Sequence, residues 1–98
     1  MNEMYYRINK WNKVESGVYE SDQKTFNWNT RKYCGLYRIE KAEVKAARIT
    51  CTVWTLYKFD DESNKVFMKH FNTLKEAKTF AENDFGVTFK LDEIDIAG

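Results

Sequence analysis

The chain has 98 residues with 43% hydrophobic and 16% aromatic content, enough for one domain with a hydrophobic core and too apolar for general disorder. Its net charge is +1, it contains no proline, and no stretch reads as a linker or low-complexity segment. That charge is unevenly spread, about +5 over residues 1–58 and −4 over 59–98, a pattern that fits either a charged binding face or two halves that pack and neutralise each other.

From the N-terminus, Met4, Tyr6 and Ile8 alternate with Tyr5 and Arg7, which predicts a strand. The same segment lacks the continuous apolar run of a signal peptide, and no apolar run is long enough to cross a bilayer. With only two cysteines, the expectation is a cytoplasmic protein with no membrane association. Residues 18–28 predict one or two further short strands. Residues 36–48 are ambiguous. Glu40, Lys41, Ala42, Glu43, Lys45, Ala46 and Ala47 favour a helix by propensity, but could equally form the charged half of a long strand. Propensity leans to helix.

Ile49–Phe59 is the clearest strand, rich in β-branched and aromatic residues. Ile49, Cys51, Val53, Tyr57 and Phe59 share one face, and Trp54 and Leu56 the other, so the strand is central or keeps one face for a partner. The polar run Asp60-Asp61-Glu62-Ser63-Asn64 predicts a turn. Lys65–Phe71 completes a hairpin, with Val66, Met68 and His70 expected opposite Phe67 and Phe71.

Thr73-Leu74-Lys75-Glu76 matches a capping box, and Leu74, Ala77, Ala81 and Phe85 recur at helical spacing with Phe80 at the edge. Lys75 and Lys78 lie early and Glu82 and Asp84 late, against the macrodipole, so packing on the sheet must hold this helix. Gly86 predicts its stop. Val87, Phe89 and Leu91 predict a last strand, and residues 92–98 a frayed tail. The fold expected is α+β: a small antiparallel sheet of four or five strands with one helix, or two, on one face of a single domain spanning 1–98.

Catalytic chemistry finds little to stand on. His70 is the lone histidine, and Ser16, Ser21 and Ser63 lie in turn-like surroundings with no strained elbow. The Asp60-Asp61-Glu62 cluster lacks the ligand alternation and glycine of a calcium loop. Cys34, Cys51 and His70 fit no zinc spacing, and no glycine-rich phosphate loop is present. Two reduced thiols, with Cys51 in a core strand, are favoured over a Cys34–Cys51 disulfide, which the sequence leaves open. The expectation is therefore a non-enzyme with no cofactor and no metal.

Basic and aromatic residues do interleave. Arg31, Lys32, Arg38, Lys41, Lys45 and Arg48 fall within eighteen residues, among Trp28, Tyr33 and Tyr37. Surface Trp, Tyr and Arg anchor protein interfaces. The same residue types neutralise phosphates and stack bases. Trp28, Arg31, Lys32, Tyr33, Tyr37 and Arg38 are thus the candidate partner-binding residues, with all but Arg38 expected on one accessible surface around Gly35. A protein partner is favoured; a single-stranded or structured nucleic acid bound through residues 28–48 is the alternative. A compact, proline-free chain rich in Asn and Lys has the style of small phage and mobile-element proteins that bind host factors, which points to an inhibitor or modulator. Oligomeric state is left undecided.

Overall fold

The computed structural model describes residues 8–97, with side chains described as far as Gly86. Strands β1 (Trp11–Glu15), β2 (Val18–Ser21), β3 (Lys24–Asn27), β4 (Lys32–Gly35), β5 (Tyr37–Ala46), β6 (Ile49–Phe59) and β7 (Lys65–Phe71) precede one helix, α1 (Leu74–Ala97). Five strands form an antiparallel sheet in the order β1-β2-β5-β6-β7, and β3 and β4 form a separate two-stranded hairpin inserted between β2 and β5. The fold is α+β, as the pattern predicts. The strand expected around Met4–Ile8 lies mostly outside the described residues.

Period-two alternation explains the layering. Tyr37 and Ile39 of β5 and Leu56 of β6 point to one face, where Ala77, Ala81 and Phe85 of α1 cover them. All six side chains are buried. Small alanines let the helix approach closely, and Leu74, Trp54, Phe71 and Met68 pack around the rim. Thr73 caps the helix as expected: its hydroxyl accepts the Glu76 N–H at 3.1 Å and donates to the Glu76 carboxylate at 3.0 Å. The acidic residues in the middle of α1 find partners on the sheet. Asp84 accepts the Tyr37 hydroxyl at 2.5 Å and lies 3.4 Å from Lys58, and Glu82 accepts the Trp11 indole N–H at 3.0 Å. Because α1 runs on to Ala97, Glu82 and Asp84 lie in its middle and not in its last turn, so the expected conflict with the macrodipole does not arise.

Four sequence expectations are corrected. Residues 37–46 form strand β5 and not a helix, because pairing with β6 along ten residues outweighs helix propensity worth a few tenths of a kcal/mol per residue. Cys51 lies in β6 but is exposed, away from the core, and both cysteines are free. A bulge opposite Leu56/Tyr57 shifts β7 by one residue, so His70 and Phe67 share a face, their rings 4.8 Å apart. Finally, α1 continues through Gly86 to Ala97, replacing both the predicted last strand and the frayed tail. The left-handed conformation that ends helices is absent at Gly86; Gly17 is the only described glycine with positive φ.

A helical glycine costs conformational entropy, and no atom lies within 4 Å of where a Gly86 Cβ would stand. Gly86→Ala is therefore expected to raise stability by about 0.5–1 kcal/mol, read as a higher urea midpoint with an unchanged slope.

Candidate functional site

The β3–β4 hairpin carries the most exposed large rings of the described chain. Phe26 and Tyr33 are directly paired across the two strands, with centroids 5.1 Å apart and edge-to-face. Trp28, in the connecting turn, folds back onto Phe26 at 4.6 Å, again edge-to-face. Phe26 is thus half-buried between two rings that stay open to solvent: Trp28 is 68% and Tyr33 72% exposed. Edge-to-face pairs contribute about 0.5–1.5 kcal/mol beyond area burial, so the outer rings are braced rather than loose.

The turn that presents them is held from two sides. The Asn27 carboxamide oxygen accepts the N–H groups of Asn29 and Thr30 at 2.9 and 3.3 Å, and the Asn27 carbonyl accepts the Arg31 N–H at 2.7 Å. Arg31 takes φ 58°, the left-handed geometry such a turn needs before β4 resumes. From outside, the Ser63 hydroxyl accepts the Trp28 N–H at 2.8 Å, and the Ser63 carbonyl accepts the Asn29 carboxamide at 3.4 Å. Ser63 is itself buried in the β6–β7 turn, where Asp60 accepts the N–H groups of Glu62 and Asn64, each at 2.9 Å. The Asn64 amide, first among these donors, lowers the Asp60 pKa. The acidic turn therefore anchors the aromatic tip, a role the sequence did not reveal.

Arg31 and Lys32 are exposed beside these rings. Tyr37 and Arg38, both expected among the partner-binding residues, do not join this surface. Tyr37 is wholly buried under α1 because alternation after Gly35 turns it into the core. Burial, followed by the hydrogen bond to Asp84, raises its pKa far above the usual tyrosine range. Arg38 donates to Glu20 at 2.8 Å and Glu40 at 2.6 Å, and Lys65 reaches the same Glu40 oxygen at 3.0 Å. Desolvation alone would lower the Arg38 pKa and raise that of Glu40; the hydrogen bonds among Arg38, Glu40, Glu20 and Lys65 reverse both. The remaining cations of the predicted cluster are scattered. Lys41 stands 5.9 Å over Trp54, and Lys45 and Arg48 lie at the far end of the β5–β6 hairpin.

Chemistry elsewhere is sparse. His70 Nδ1 lies 2.9 Å from the Thr55 hydroxyl on the paired strand, and none of the three serines partners it. Among the described residues no carboxylate orients the other side of that ring. Partial burial, then the Glu20 charge, raises the Cys34 pKa and keeps its thiol protonated, which weakens it as a nucleophile. No group of three or more His, Cys, Asp or Glu that could hold a metal occurs among the described residues, and no described helix is long and apolar enough to cross a membrane. No family model matches the chain, and no significant match is found among curated proteins or among solved structures.

Proposed function

We propose that the protein is a small non-catalytic binding domain that docks another protein through the β3–β4 hairpin, acting as an inhibitor or modulator of that partner. The observation that carries this reading is the pair of exposed rings, Trp28 and Tyr33, braced on Phe26 and pinned from behind by Ser63. Rigid exposed aromatics beside an arginine are the residues on which interface energy concentrates, because their area is large and little side-chain entropy is lost on binding. Nucleic acid is disfavoured by the same geometry. Of the six clustered cations, only Arg31 and Lys32 flank the rings, and Arg38 is already neutralised by two carboxylates. A groove that tracks a phosphate backbone needs more positive charge in line.

The test is capture of the partner from the native host, then titration of single variants. Trp28→Ala and Tyr33→Ala are each expected to weaken binding by about 2 kcal/mol or more, roughly thirtyfold, with folding intact and a modest salt effect. Binding that is unchanged in both variants removes the hairpin as the docking surface. A steep salt slope, reduced by about one in Arg31→Ala and in Lys32→Ala, shows a nucleic-acid partner instead.

A further inference from the structure

Strand β7 is an edge of the five-stranded sheet: among the described residues, β6 is its one strand neighbour. Every second residue of such an edge turns its N–H and C=O groups away from the sheet, unpaired by it. Edges of this kind are commonly shielded by lysines. The two lysines of β7 are turned elsewhere. Lys65 reaches Glu40 at 3.0 Å and lies 4.5 Å over the Tyr57 ring, and Lys69 lies 5.5 Å from the ring centroids of both Phe71 and Phe80. Two clefts follow one another along the strand. The first, of about 660 Å³, is lined by Val66, Phe67 and Met68 of β7, and the second, of about 570 Å³, by Lys69, His70 and Phe71. Phe80 of α1 lines both, so they make one groove between β7 and the helix, as long as β7 itself. The groove is polarised. Asp60 and Asp61 line its end at the β6–β7 turn, where the Lys58 ammonium is drawn to Asp84 at 3.4 Å. Lys69 and Lys75 line the end at the start of α1, where Glu76 is held by the Thr73 hydroxyl.

We propose that this groove takes an extended segment of a partner protein, which adds to β7 as a sixth, antiparallel strand. The open edge selects a polypeptide, because a second backbone is what satisfies alternating N–H and C=O groups along seven residues. Antiparallel addition continues the pairing found throughout the sheet, and parallel pairing is slightly weaker per residue. That direction fixes the order of charges. The segment starts beside Lys69 and Lys75 and ends beside Asp61, so at alternate positions it reads acidic, apolar, apolar, basic. Its apolar side chains fall over Val66, Met68 and Phe80. Asp61 carries the charge selection, since Asp60 already accepts the N–H groups of Glu62 and Asn64 in the turn. A nucleic acid brings no backbone ladder for β7, and its phosphates would meet Asp60 and Asp61. The site goes beyond the hairpin contact and does not depend on it, although the turn that pins Trp28 also forms the acidic end of the groove.

The end-capped peptide Glu-Thr-Val-Thr-Leu-Thr-Lys, titrated into the isotope-labelled full chain, tests it, with a dissociation constant on the order of 100 μM expected for one short added strand. Amide shifts are expected along β7 and at Thr79, Phe80 and Asn83, with slowed exchange of the β7 N–H groups that point outward. Methylating every second backbone nitrogen of the peptide is expected to abolish binding for one of the two alternate sets and to spare it for the other. Replacing the final Lys of the peptide by Glu is expected to weaken binding roughly fivefold, and Asp61→Lys to reverse that preference. Asp61 is exposed and the turn is held by Asp60, so this variant keeps the fold. Trp28→Ala is expected to leave the peptide affinity unchanged, which separates this site from the hairpin. No binding at about 2 mM peptide, shifts that miss β7, equal binding of both methylated sets, or an unchanged charge preference in Asp61→Lys each overturns the proposal. Concentration-dependent pairing of β7 with a second copy of the chain overturns it as well.

Discussion

Leu56→Ala is expected to destabilise the protein by about 4 kcal/mol, toward the top of the range for buried leucines. Leu56 is fully buried between Ile39 on the neighbouring strand and the alanine face of α1. The cost depends on whether neighbours can move into the void. Ala77 and Ala81 have no side chain to extend, and Ile39 is fixed at χ1 by its branched Cβ. The cavity therefore stays open and the full transfer and cavity terms are lost. Domains of this size have about 5–10 kcal/mol in total, so the variant unfolds at a much lower urea concentration. Leu56→Met, which conserves volume, is expected to cost less than about 1.5 kcal/mol. Equal midpoints for the two variants would show that the core collapses around the gap.

Gly35→Ala is the second large effect, at about 3 kcal/mol, and its cause is steric. A Cβ at Gly35 would stand 2.6 Å from the Glu20 Cβ and 2.9 Å from both the backbone nitrogen and the backbone oxygen of Ser21. Backbone atoms of a paired strand cannot swing aside as a side-chain end can. The same glycine donates its N–H to Glu20 at 3.0 Å, so relieving the clash also loosens a carboxylate that holds Arg38. Overpacking of this kind typically costs 1–3 kcal/mol, and backbone contact places Gly35 at the upper end. A thermal melt compared with Gly86→Ala, where the space is open, separates crowding from the ordinary effect of removing a glycine.

Legibility followed the range of the interactions involved. The β6 strand, the β6–β7 turn and the start of α1 were readable because alternation, turn residues and the capping box are local signals. Glu40 to Ala46 was misread because its composition favours helix while its pairing partner, β6, lies across a turn. Gly86 was misread because a glycine at the end of an apolar stripe can stop a helix or be carried through one. Trp28, Arg31, Lys32 and Tyr33 were found from clustering around a turn, and all four are exposed. Tyr37 and Arg38 belonged to the same cluster in sequence but not in space. The Arg38 partner Glu20 is eighteen residues away on another strand. Ser63 carried no signal, since a serine in an acidic turn reads as solvated, and its bond to Trp28 spans 35 residues.

The aromatic hairpin leaves and re-enters the sheet at a single point. The Leu36 N–H bonds to the Gln23 carbonyl at 2.8 Å, and the Tyr37 N–H bonds to the Ser21 hydroxyl at 3.2 Å, so the chain closes behind the insert before β5 begins. β2 and β5 pair directly as neighbours on either side of the insert. Provided Gly35 keeps its place against Glu20 and Ser21, the residues from Lys24 to Cys34 can change in length at a loop-closure cost that grows only logarithmically. The hairpin is thereby a segment whose tip can vary while the frame of β2, β5, β6 and α1 is inherited intact.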